Sequence, residues 1–139
     1  MTWQTELREK AKRLNLKGMD LLECCSDSHL AAICNGIGPA WFPEILRDFI
    51  TKLSPTLHWA ADLHDLMYYF GDGTKEDFSR ANQALAENGA ILAKEAYAWY
   101  DPLRYLVMLE ARRFAKLCER YGYTAYTKAI QDRIDDTHQ

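Results

Sequence analysis

The chain has 139 residues, 48% of them hydrophobic and 27% charged, with a formal net charge of −3. This suits one globular domain spanning residues 1–139, able to bury roughly 70% of its unfolded surface without disulfide or metal staples. The acidic balance excludes nucleic acid as the main partner, because phosphate binding needs a basic surface, and no run approaches ~18 uninterrupted apolar residues, which excludes a transmembrane helix.

The opening residues, Met1 to Arg13, are charged throughout and hold no apolar signal core, so no secretory signal is expected. Thr2 caps a first helix reaching about Leu14. Residues 18 to 33 read as a second, more apolar helix, broken near Ser26-Asp27-Ser28. The four cysteines, Cys24, Cys25, Cys34 and Cys118, do not form a disulfide framework, which points to a reducing compartment. Cys34-Asn35-Gly36-Ile37-Gly38-Pro39 is the clearest non-helical segment, since two glycines and a proline forbid a regular helix.

Pro43 opens a short helix to Leu53, which Ser54-Pro55 stops, because the residue before proline avoids helical dihedrals. Thr56 begins a mostly apolar helix ending near Phe70, and Gly71-Asp72-Gly73 makes a turn. Thr74 with Asp77 forms a capping box for the next helix, which Asn88-Gly89 is expected to stop. Helix resumes from Ala90 to Tyr100. Asp101-Pro102 starts a long helix to about Arg120, Gly122 breaks it, and a last helix covers Thr124 to about Ile134. Period-two alternation and β-branched runs are absent, so the fold class is all-α.

Two of these helices hold the candidate site. His58, Asp62, Asp65 and Tyr69 fall on one polar stripe of the Thr56–Phe70 helix, while Leu57, Ala60, Ala61, His64, Met67 and Tyr68 fall on its apolar face. His64 therefore occupies a core position. On the following helix Phe78, Ala81 and Leu85 define the apolar stripe, and Asn82 lies inside it. The short turn makes the two helices antiparallel neighbours, a central pair in the domain. At about 1.5 Å per residue, His64 and Asn82 each lie roughly 10–14 Å from the turn, at nearly the same height. A buried imidazole and a buried amide each need a partner, since an unpaired one costs about 1–3 kcal/mol. The amide oxygen would fix the imidazole tautomer and leave the other ring nitrogen as a base. On pattern alone a structural histidine–asparagine bond is the more ordinary reading, and Asp65 is an ordinary solvated charge.

The glycine loop, then His64-Asp65-Leu66-Met67-Tyr68, then a polar residue on the next helix, together resemble the phospholipase A2 superfamily. The likeness is closest to its short phage- or bacterial-type members, whose loop reads Cys-Asn-Gly-x-Gly-Pro. It covers residues 34 to about 88 as a phospholipase A2-like core and leaves 1–33 and 89–139 without a motif. The resemblance implies a calcium ion held by the carbonyls of Cys34, Gly36 and Gly38 and by the carboxylate of Asp65, hard oxygen donors that suit calcium. It implies His64 as the general base, Asn82 as its orienting residue and Tyr68 as a supporting member of the network. Calcium and the Gly36 N–H would stabilise the oxyanion. The partner would be phospholipid or a membrane surface, and the location cytoplasmic or phage-associated.

The sequence departs from the family at the orienting position, where Asn82 replaces the usual aspartate; a neutral amide fixes a tautomer but stabilises an imidazolium less. The cysteines that usually flank the His-Asp pair are absent, with Ala60, Ala61 and Met67 in their places. Trp41 and Phe42 follow the loop; core packing is the ordinary reading of the two, and an aromatic rim against lipid is the alternative.

Other clusters read more simply. Cys24, Cys25, His29 and Cys34 do not have a common zinc-site spacing. Arg112, Arg113, Lys116 and Arg120 form a solvated basic stripe, and Tyr121, Tyr123 and Tyr126 pack the last helix. The expected function is calcium-dependent hydrolysis of phospholipid acyl esters. The alternative is a phospholipase-like helical module without activity, serving a structural or interaction role.

Overall fold

The computed structural model describes residues 2–34 and 43–137. Among these the chain forms eight α-helices and one 3₁₀ turn, with no strand. Helix α1 (Trp3–Leu14) begins at Thr2, whose Oγ1 accepts from Thr5 N–H at 3.2 Å, and ends at Asn15 in the left-handed region. Residues 18 to 33 are interrupted just before the expected break, giving two helices, α2 (Met19–Leu22) and α3 (Asp27–Ile33). Ser26 starts α3 by capping His29 N–H at 3.2 Å, so the polar triplet is a beginning rather than a flaw. Arg8 ties α1 to this segment by donating to the Leu22 and Cys25 carbonyls at 2.5 and 2.7 Å.

Helix α4 (Glu44–Thr51) and a 3₁₀ turn (Pro55–Leu57) lead into α5 (His58–Tyr69). The turn to α6 (Lys75–Ala96) is held from three sides. Gly73 has φ of 88°, which glycine tolerates. Thr74 Oγ1 accepts from Asp77 N–H at 3.1 Å, while Asp77 reaches back to Asp72 N–H rather than to Thr74 N–H. The Tyr126 hydroxyl donates to Asp77 at 2.7 Å and accepts from Gly73 N–H at 2.9 Å.

Helix α6 does not stop at Asn88-Gly89, as the sequence suggested; it runs unbroken to Ala96. Both residues serve tertiary contacts instead. Asn88 is fully buried and clasps the Lys17 backbone, accepting from its N–H at 2.8 Å and donating to its carbonyl at 3.0 Å. Gly89 lies where a Cβ would overlap that of Ala111, so its bare backbone lets α7 (Pro102–Tyr121) approach. Helices α6 and α7 pair antiparallel along most of their length, with Ser79 opposite Glu119 and Gly89 opposite Ala111. Helix α8 (Tyr123–Thr137) crosses back over α5, where Arg133 donates to the Gly71 carbonyl at 3.0 Å.

Helix α5 is thus covered on more than one side. Its expected polar stripe is only partly solvated: His58 is exposed, Asp62 and Asp65 are half-buried, and Tyr69 is buried. The Tyr69 hydroxyl accepts from His29 at 3.3 Å on α3 and donates to Asp136 at 3.0 Å on α8. A stripe assigned from one neighbour misses the two others that pack behind it. All four cysteines are unbridged. No helix among the described residues is long and apolar enough to cross a membrane.

Candidate functional site

The antiparallel packing of α5 on α6 brings His64, Tyr68 and Asn82 together in the core. His64 and Asn82 are each 2% exposed and Tyr68 is 3% exposed. His64 Nε2 lies 2.8 Å from Asn82 Oδ1, and the Tyr68 hydroxyl donates to the same oxygen at 2.6 Å. Tyr68 stands one turn after His64, and the two rings lie 4.1 Å apart between centroids. Asn82 Nδ2 donates to Glu119 Oε2 on α7 at 2.7 Å. A carboxylate only accepts, so the amide nitrogen must face Glu119 and the amide oxygen must face His64. Nε2 therefore carries the proton, and Nδ1 keeps its lone pair.

Burial in this apolar setting disfavours the imidazolium and lowers the His64 pKa to about 4, although the bond to Asn82 works in the other direction. The ring is neutral at neutral pH. Burial also pushes the Tyr68 hydroxyl well above its ordinary range, so it remains a donor.

Asp65 follows His64 but faces a different neighbourhood. Cys34 Sγ and a carboxylate oxygen from each of Asp62 and Asp65 all lie within 4.8 Å of one another. Cys34 sits just past the end of α3 and donates its thiol to the Asp62 carbonyl at 3.4 Å. Burial, and then the two nearby carboxylates, push the Cys34 thiol far up, so it is protonated and a poor metal ligand. Burial raises Asp62 to about 7, and burial together with Asp62 raises Asp65 well above the usual carboxylate range. Two carboxyl groups one helical turn apart in a desolvated place resist ionising together, a cost that a divalent cation would offset. Gly36 and Gly38, the other metal positions expected from the sequence, lie outside the described residues, as do Trp41 and Phe42.

Two members of this neighbourhood escaped the sequence reading of the site. Asp62 had a local signal, since it precedes Asp65 by one turn on the same face. Glu119 had none, because only the α6–α7 pairing brings it to Asn82. A groove of about 630 Å³ lies between α4 and α7, lined by the apolar Ile45, Phe49, Leu106, Leu109 and Leu117 and by the charged Asp48, Lys52, Glu110 and Arg113. Phe49 stacks on Phe114 at 5.4 Å, and Phe114 lies 6.2 Å from the His64 ring, so two aromatic rings separate the groove from the imidazole. No family model, no curated protein and no solved structure matches the chain, and the resemblance to the phospholipase A2 superfamily rests on the residues described above.

Proposed function

We propose that the chain is a calcium-dependent hydrolase of phospholipid acyl esters, with residues 34 to about 88 forming a phospholipase A2-like core. The observation that carries this reading is the pairing of two arrangements on one helix. His64 is set in a single tautomer by Asn82, with Tyr68 on the same oxygen. The next residue, Asp65, joins Asp62 beside Cys34, where the glycine loop begins.

The donors fit calcium in kind. Asp62 and Asp65 offer hard carboxylate oxygens, and the Cys34, Gly36 and Gly38 carbonyls are the further donors that the resemblance supplies. When bound, the ion supplies Lewis-acid polarisation of the ester carbonyl. His64 does the proton work. Nδ1 takes a proton from a water whose oxygen attacks the ester carbon, while Nε2–H stays on Asn82 and keeps the charged ring in place. The proton then passes from Nδ1 to the leaving alcohol oxygen as the C–O bond breaks, releasing fatty acid and lysophospholipid. The apolar α4–α7 groove suits an acyl chain. Trp99 and Tyr100, 72% and 73% exposed beside the exposed Leu103, Tyr105 and Leu106, suit a lipid–water boundary.

The test is fatty-acid release from phospholipid–detergent mixed micelles in calcium. His64→Ala is expected to lower the initial rate by about 100-fold or more while keeping the helical circular dichroism of the wild type. Equal rates for the two proteins would refute the assignment of the base.

A second reading keeps the fold without the chemistry, as a helical module with a structural or interaction role. One observation favours it: the partner of His64 is a neutral amide, and burial makes the ring a weak base. A folded wild-type protein with no calcium-dependent acyl release would decide for this module.

A further inference from the structure

In the resembled family an aspartate brings negative charge directly onto the histidine. Here Asn82 holds that place, and a carboxylate stands one hydrogen bond further out. Glu119 Oε2 accepts from Asn82 Nδ2 at 2.7 Å, and Glu119 Oε1 accepts from the Ser79 hydroxyl at 2.5 Å. Ser79 and Asn82 lie one turn apart on α6, so one face of that helix grips both carboxylate oxygens of a residue on α7.

We infer that Glu119 is a positioning residue for His64, acting through Asn82 as a relayed counter-charge. An amide group has nearly the same shape when flipped, so Asn82 alone leaves its orientation open. Flipped, its nitrogen would face Nε2 and force the other imidazole tautomer, and the Tyr68 hydroxyl would lose its acceptor. The Glu119 carboxylate forbids the flip, because two acceptor oxygens cannot face each other at hydrogen-bond distance. It therefore selects the Nε2–H tautomer and leaves the lone pair on Nδ1. The same chain of bonds polarises the amide and makes Oδ1 a stronger acceptor toward a charged ring. Glu119 lies at the surface, so its charge keeps part of its hydration while it acts on a buried pair. That the selected tautomer serves ester hydrolysis rests on the function proposed above; the relay itself does not.

The experiment uses the full chain in chelator at pH 7.5 and reads two quantities without lipid. The first is the ¹⁵N chemical shift pair of the His64 ring, which reports the tautomer. The wild type is expected as Nε2–H, and Glu119→Leu is expected to shift the ring toward a mixture of tautomers. The second is thermal stability across a charge exchange. Asn82→Asp alone opposes two carboxylates and is expected to lower Tm by roughly 4–8 °C. Asn82→Asp combined with Glu119→Gln restores a donor–acceptor pair, with the negative charge moved inward by one link, and is expected to recover most of that loss. Additive effects of the two substitutions on Tm, or an unchanged tautomer in Glu119→Leu, would overturn the relay. Intact coupling and tautomer selection in a protein that releases no fatty acid would uphold the relay and refute the hydrolase.

Discussion

His64 and Asp62 sit two residues apart on α5, on different faces, and their burial pulls the pH dependence of stability in opposite directions. An unfolded imidazole takes its proton near 6.5, whereas native His64 waits until about 4. Its contribution is therefore complete above pH 6.5 and is lost as pH falls through 4, a loss of up to about 3 kcal/mol. Asp62 behaves in reverse, ionising near 3.8 when unfolded and at about 7 in the fold. Its contribution is complete below pH 3.8 and is lost as pH rises through 7. Asp62→Asn should thus be more stable than wild type at pH 7 in chelator, with the gap closing toward pH 4. Urea unfolding across this range checks it. A gap that stays constant with pH would show that Asp62 is not desolvated in the fold. The sequence displayed Asp62 and Asp65 as ordinary solvated charges, because the partners that bury them, α3 and Cys34, are distant in the chain.

At the scale of elements, α6 shows how tertiary packing overrides a local signal. Asn-Gly is a common helix stop, yet here it sits in the interior of a helix from Lys75 to Ala96. Replacing an interior helical glycine with alanine ordinarily stabilises by about 1 kcal/mol. Gly89→Ala should do the opposite, because the new methyl would overlap the Ala111 Cβ and force α6 and α7 apart. The expected cost is about 1–3 kcal/mol, seen as a lower Tm. A raised Tm would mean that the two helices are not in close contact at this point. The helices themselves were largely legible, because caps such as Thr2, Thr74 and Asp101 and breakers such as Pro55 and Gly122 act through neighbours in sequence. The break within residues 18 to 33 was legible as well, at Ser26-Asp27-Ser28, where Ser26 caps α3. The continuity of α6 was not, because it depends on contacts with Lys17 and Ala111.

Across the whole molecule the candidate site divides in the same way. The His64–Asn82 contact was legible because a short turn between two helices fixes the relative height of their residues. The relay to Glu119 and the groove beside Phe114 were not, since both need α7 in place. What α7 adds is a carboxylate behind the amide and an apolar wall near the imidazole, contributed from outside the stretch that carries the family resemblance. The proposed hydrolase would depend on calcium through Asp65 and its neighbours. Its most direct test is the initial rate of fatty-acid release from mixed micelles as free calcium is raised from chelator to millimolar, for wild type and Asp65→Asn. The wild-type rate is expected to rise with calcium and saturate, and Asp65→Asn is expected to show no saturable rise. A wild-type rate that is the same in chelator and in calcium would contradict it.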